Sequence, residues 1–187
     1  MNLRETCLDS KTVFRGRIVN VRDDRVSLPD GREARREVIE HPGGVAVVAL
    51  TDNCEVLIVR QFRYPHMEIM CEIPAGKLEP GEDPAECGRR ELREETGFVC
   101  EHFEPLGTLY PSPGCYAEIL YLFLARTLTF AGQNLDDEEF LTVEMCPMET
   151  LIDRVMSNEI KDAKTIAGLM MARERIRMEG GTVSCQK

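Results

Sequence analysis

Apolar and polar residues alternate through the opening segment, most plainly in "RGRIVNVRDDRVSLPDGREARREVIEHP", where the "PDG" triplet breaks the alternation. A period of two with a turn signal in its middle predicts a hairpin or a small antiparallel meander. The pattern then gives way to two continuous apolar runs, "GVAVVAL" and "EVLIVRQF", joined by the turn-like "TDN". Uninterrupted runs of this length predict central strands. Further strands are expected at "IMCEIPAG", "PLGTLY", "EILYLFLA" and "EFLTVEM", and helices over 84–97, Met148 to Ser157 and Asp162 to Met178. Strands therefore dominate the first two thirds. The tail "EGGTVSCQK" is expected to fray, and neither an internal repeat nor a low-complexity linker interrupts the chain.

The 84–97 segment carries clear end signals. Asp83 suits the N-cap, Pro84 the first helical position, Glu86 stands at capping-box spacing, and Gly97 supplies a left-handed stop. Ala85, Gly88 and Leu92 recur at spacings of three and four, which predicts a narrow buried stripe. Glycine costs about 1 kcal/mol against alanine inside a helix, so Gly88 predicts close packing against a neighbouring backbone. Glu91 and Glu95 stack one turn apart on another face, with Glu94 beside them. Like charges at this spacing repel, and the crowding needs a reason.

Composition narrows the possible reasons. A chain of 187 residues with 43% hydrophobic and 30% charged positions suits one domain, or one domain with an extra lobe. A formal charge of -10 argues against non-specific contact with nucleic acid or an anionic membrane, since both attract basic patches. No apolar run approaches the roughly 20 residues of a membrane span, and the N-terminus has no signal-peptide core, so the cytoplasm is the expected location. The 8 cysteines form no CxxC pair and several sit in apolar runs, which predicts reduced, mostly buried thiols. A solvated helix face would account for the glutamates alone. Carboxylates on a rigid helix are also the hard oxygen ligands that Mg2+ or Mn2+ prefers, with waters and substrate phosphates completing the shell. The bend at "IPAGKLEPGE" can place a backbone carbonyl opposite the acidic turn.

The full pattern is Gly76, Glu82, Arg90, Glu91, Leu92, Glu94, Glu95, Gly97 and Phe98, that is, Gly, five residues, Glu, seven residues, then Arg-Glu-apolar-x-Glu-Glu-x-Gly-apolar. It resembles the signature of the Nudix hydrolases, which cleave nucleoside diphosphates linked to another moiety. The resemblance implies an α/β/α sandwich on a mixed sheet, with a strand, loop and helix module that carries divalent ions. It implies the carbonyl of Ala75 and the carboxylates of Glu91 and Glu95 as metal ligands, Glu94 as a weaker one, and Arg90 as partner of a box carboxylate. Glu82 is expected to serve the loop's architecture. Pro113 in "YPSPGCYAE", with "RQFRYP", "EIPAGKLE", "DDEEF" and "KDAKT", is similar to bacterial ADP-ribose pyrophosphatases. That likeness implies an N-terminal antiparallel β lobe over 1–42, involved in dimerisation, and a hydrolase domain over 43–180.

For the flanking residues, the resemblance implies that Arg63 contacts phosphate and that Arg36 and Glu37 help recognise adenosine from the N-terminal lobe of a homodimer. Arg60 is a second arginine able to grip a diphosphate, and "SPGCYAE" can bend over the site and present Glu118. Each also reads as an ordinary exposed charge. The attacking water must lose a proton, and a carboxylate near it can take that proton; the resemblance implies that this group comes from the acidic loop "NLDDEEF", with Glu139 the best match and Glu138 the alternative. The implied reaction is Mg2+-dependent hydrolysis of ADP-ribose to AMP and ribose 5-phosphate. The rival readings are hydrolysis of a nucleotide sugar, a dinucleoside polyphosphate or a damaged nucleotide, and a non-hydrolytic ligand sensor.

Overall fold

The computed structural model describes residues 2–135 and 139–180, arranged as two compact units. The first comprises the chain up to Gly43 together with Tyr110–Ile119; the second holds Gly44–Leu109 and the chain from Leu120 onward.

In the first unit the expected meander is present. β1 (Thr6–Arg15), β2 (Asn20–Ser27) and β3 (Glu33–Glu40) pair antiparallel in that order. The "PDG" turn closes with Gly31 at φ 85° and its N–H on the carbonyl of Leu28 at 2.9 Å; only glycine takes this conformation without strain. The segment 110–119 attaches through Ile39, whose N–H donates to Cys115 O at 2.7 Å and whose carbonyl accepts from Ala117 N at 2.9 Å.

In the second unit the strands are β4 (Gly44–Ala49), β5 (Glu55–Arg63), β6 (Glu68–Glu72), β7 (Ala75–Lys77), β8 (Phe98–Leu109), β9 (Leu120–Phe130) and β10 (Leu141–Pro147). The helices are α1 (Pro84–Thr96), α2 (Met148–Met156) and α3 (Ala163–Met178). β7-β4-β9-β8 form a mixed sheet in which β4 and β9 are parallel, and β10-β5-β6 form an antiparallel one. Alternation along β4 shows how the layers stack. Val45, Val47 and Ala49 pack with Cys87 and Leu92 of α1, whereas Ala46 and Val48 pack with Leu169, Ala172 and Ile176 of α3. A strand covered on both faces has no place for polar residues, which is why its sequence is continuously apolar. The result is a helix layer on each side of the sheet.

Three local expectations need correction. β8 begins at Phe98, directly after the helix, so "FVCEHFE" is strand as well as "PLGTLY"; its alternating burial was masked by the turn signal at Gly97. A Cβ on Gly88 would lie 2.7 Å from the ring of Phe103 and 3.4 Å from that of Phe123, so this glycine admits stacked aromatic side chains rather than a backbone. Among the described cysteines, all free, only Cys87 and Cys146 are buried, while Cys7 and Cys115 are exposed. The expected frayed tail lies outside the described residues from position 181 on.

Candidate active site

α1 is fixed at both ends. The Asp83 carboxylate accepts from the N–H groups of Ala85 and Glu86, and Gly97, at φ 79°, donates its own N–H to Arg93 O. The helix buries Gly88 and Leu92 as anticipated, with Cys87 and Thr96 alongside and Ala85 only half-buried. It also buries Glu91 and Glu95, which are 8% and 2% exposed. The crowded glutamates are therefore not a solvated face.

Arg90 organises the acids around it. Its guanidinium donates to Glu82 at 2.9 and 3.1 Å, to Glu91 Oε1 at 2.9 Å and to Glu94 Oε2 at 2.7 Å. Glu82 in turn accepts from Glu79 N–H at 2.9 Å, closing the loop before the helix. Glu94 and Glu82 are thus spoken for as partners of Arg90.

Glu91 and Glu95 are compensated less fully. Burial pushes the Glu91 carboxyl up to about 7, against the pull of Arg90 and with the charges of Glu94 and Glu139 adding to the rise. Burial pushes Glu95 up to about 8, despite a hydrogen bond from Ala75 N–H at 2.9 Å, and Glu91 and Glu139 raise it further. Two desolvated carboxylates side by side are costly unless a cation joins them. Gly76 makes the arrangement possible, because a Cβ there would lie 1.8 Å from the Glu91 carboxyl carbon. Among the described residues no group of three or more His, Cys, Asp or Glu is arranged to hold a metal ion. Two buried carboxylates one turn apart are nevertheless hard oxygen donors of the kind a divalent cation takes, with positions left for water and phosphate.

Two flanking groups reach this pair electrostatically. Glu139 raises both carboxyls, while Arg63 lowers that of Glu95. Arg63, at the end of β5, donates Nε and Nη2 to the two oxygens of Glu72, each at 2.7 Å. Glu138 lies outside the described residues. Arg60 is exposed on the same strand, with Nη1 3.6 Å from Glu144. The remaining candidates belong to the first unit: Arg36 pairs with Glu5 at 2.6 Å, Glu37 is exposed on β3, and Glu118 meets Nδ1 of the half-buried His41 at 3.3 Å. Sequence reading missed Glu72, which is 1% exposed and bound by both Arg63 and Lys164. It stands inside "EIPAG" and Lys164 inside "KDAKT", so both lay in segments already singled out, without a role attached.

The fold is that of a solved structure of an ADP compounds hydrolase, matched with a TM-score of 0.86 over 97% of this chain and 100% of that one, at 22% identity. Residues 40–169 match the NUDIX domain and residues 5–39 the nucleoside diphosphate sugar hydrolase N-terminal domain. An ADP-ribose pyrophosphatase of Bacillus subtilis (strain 168) is 39% identical over 166 residues, 88% of this chain and 90% of that protein. A methanol dehydrogenase activator of Bacillus methanolicus is 38% identical over 164 residues, 87% and 89% of the two chains. The chain belongs to the Nudix family and is a pyrophosphatase of the Nudix hydrolase class, one that generally works with a divalent metal. No helix among the described residues is long and apolar enough to cross a membrane.

Proposed function

We propose that the protein hydrolyses the diphosphate of ADP-ribose, with Mg2+ or Mn2+, to AMP and ribose 5-phosphate. The observation that carries this reading is the buried pair Glu91 and Glu95 against Gly76 and Ala75, in a chain 39% identical to an ADP-ribose pyrophosphatase. Glu91, Glu95 and the Ala75 carbonyl would hold the cation, which when bound would supply Lewis-acid polarisation of the diphosphate and of the attacking water. Glu139 takes the proton from that water, a role supported by its charge raising both the Glu91 and Glu95 carboxyls. Arg90 holds Glu91 and Glu94 in place, and Arg63 offers the diphosphate the guanidinium edge that Glu72 leaves open.

Arg36, Glu37, Arg60 and Glu118 are the proposed contacts to the rest of the substrate. The first unit contributes to a homodimer, and the protein works in the cytoplasm without nucleic acid or membrane partners, in keeping with its charge of -10. A second reading has support of its own: the match of residues 5–39 to a nucleoside diphosphate sugar hydrolase N-terminal domain favours a wider range of nucleotide sugars.

One experiment separates the two. The protein is incubated with Mg2+ and ADP-ribose, NADH, nucleotide sugars, diadenosine polyphosphates and nucleoside triphosphates, and products are identified. Release of AMP and ribose 5-phosphate at the highest kcat/KM is expected, and preferential turnover of another compound would replace the substrate assignment. Gel filtration with light scattering reports the oligomeric state, where a monomeric mass would remove the dimer from the reading.

A further inference from the structure

Glu72 is a buried carboxylate that the reaction does not use, yet two cations converge on it. Arg63 binds both of its oxygens, and Lys164 Nζ makes a close contact with Oε2. Lys164 is itself only 15% exposed and sits 2.9 Å from Asp162 Oδ2. Asp162 caps α3 by accepting from both the N–H and the hydroxyl of Thr165, at 2.9 and 2.6 Å. Thr165, fully buried, accepts in turn from Ile73 N–H at 2.9 Å. The next two residues are tied as well: Pro74 O accepts from Val47 N–H, and Ala75 N–H donates to Glu95. The start of α3 thus holds both the Glu72 carboxylate and the backbone leading to the box.

Charge explains what this arrangement can do for Arg63. Arg63, Glu72, Lys164 and Asp162 together are neutral, so Arg63 can meet an anion without a net negative cluster behind it. Removing the Lys164 charge leaves the group at -1 beside the place where a diphosphate must arrive, and makes Arg63 the sole counter-charge of a buried carboxylate. A guanidinium drawn fully onto its internal partner is a weaker anion ligand.

We propose that Lys164 is a positioning residue for Arg63, acting through Glu72 to keep the outer edge of the guanidinium available to the substrate's diphosphate. The proposal rests on the reading of Arg63 as the anion contact. Lys164→Met retains most of the apolar stem but not the charge, and Lys164→Arg restores the charge. Two readouts are taken on each: KM and kcat for ADP-ribose with Mg2+, and binding of inorganic pyrophosphate by calorimetry, which needs no turnover. Lys164→Met should raise KM about tenfold with kcat changed less than threefold, and weaken pyrophosphate binding by a similar factor. Lys164→Arg should recover most of both. In an Arg63→Ala background, Lys164→Met should add little, since its effect passes through Arg63.

Additive losses in the double variant, or a fall in kcat and melting temperature with KM unchanged, would overturn the role and leave Lys164 a structural residue. Pyrophosphate binding unaffected by Arg63→Ala would overturn the premise about Arg63. A wild-type protein that binds pyrophosphate with this pattern but does not cleave ADP-ribose would keep the positioning role and reject the substrate.

Discussion

The carboxylate of Glu91 occupies the space in which a side chain at position 76 would begin, with the nearest carboxyl oxygen 1.9 Å from where a Cβ would stand. The relationship turns the first glycine of the box from a flexible hinge into a steric requirement. Gly76→Ala must displace the carboxylate of Glu91 from its place or move β7. A displacement of this order costs about 100-fold in rate when it misplaces a reacting group, so kcat should fall by that factor while far-UV circular dichroism is unchanged. A Gly76→Ala variant with wild-type kcat would show that Glu91 need not sit against the strand.

Glu95→Gln should separate activity from stability. The amide oxygen can still accept from Ala75 N–H, but the charge that burial disfavours is gone. Activity is expected to fall by about 100- to 1000-fold, as for removal of one strong electrostatic stabiliser. The metal-free variant at pH 8 should melt higher than the metal-free wild type, because the buried carboxylate no longer has to ionise. Full activity, or a lower melting temperature, would contradict the metal-ligand reading.

The metal-free protein should lose stability as pH rises. Glu91 and Glu95 bind their protons more tightly folded, at about 7 and about 8, than at the usual 4.5. The folded state therefore carries more protons between 4.5 and 8, and stability falls with increasing pH across that window. Glu72 acts in a different range: burial pushes it up, but Arg63 and Lys164 outweigh burial and hold it down at about 2, so its contribution is lost only as pH falls below 4.5. Melting temperatures in chelator should decline from pH 5 to pH 8, and millimolar Mg2+ should flatten the slope. A rising curve in chelator would reject the two raised carboxyls.

Glu139→Gln tests the base apart from the ligands. General-base catalysis contributes about 100- to 10,000-fold, so kcat should drop within that range while KM and the Mg2+ concentration for half-maximal rate stay near wild type. If Glu138→Gln instead carries the loss, the base is the neighbouring acid. If neither variant falls tenfold, the proton goes elsewhere.

Arg90→Met addresses the hub. It removes the two hydrogen bonds that Arg90 makes to Glu82 and leaves Glu91 and Glu94 without their shared cation. Breaking a part-buried ion-pair network by removing one partner costs about 3 kcal/mol or more when the remaining charge is buried. The variant should melt lower in chelator, with partial recovery in Mg2+, as the cation replaces the missing positive charge beside Glu91. A melting temperature unchanged in chelator would show the network to be redundant.

Much of this site could be read from the chain. The helix ends at Asp83 and Gly97 and the covered strand β4 follow from local signals, since caps and hydropathic period act over a few residues, whereas the pairing of Arg90 with the box acids and the loop role of Glu82 were expected with the family signature. Gly88 shows the limit: its spacing marked a close approach, but only the fold says that Phe103 and Phe123, from two other strands, fill it. The start of β8 was hidden because the stop at Gly97 and the strand signal overlap.

What the sequence by itself determined was most of the element order, though not the division of "IMCEIPAG" between β6 and β7 in two sheets, together with the family signature and which carboxylates would gather on one helix. Tertiary structure alone decided that Glu91 and Glu95 are buried rather than solvated, since their burial comes from β7 and the strands beneath α1. It also decided that Arg63 and Lys164, about a hundred positions apart, share one carboxylate. Long-range pairing of this kind leaves no local trace, because each residue taken alone has the pattern of an ordinary surface charge.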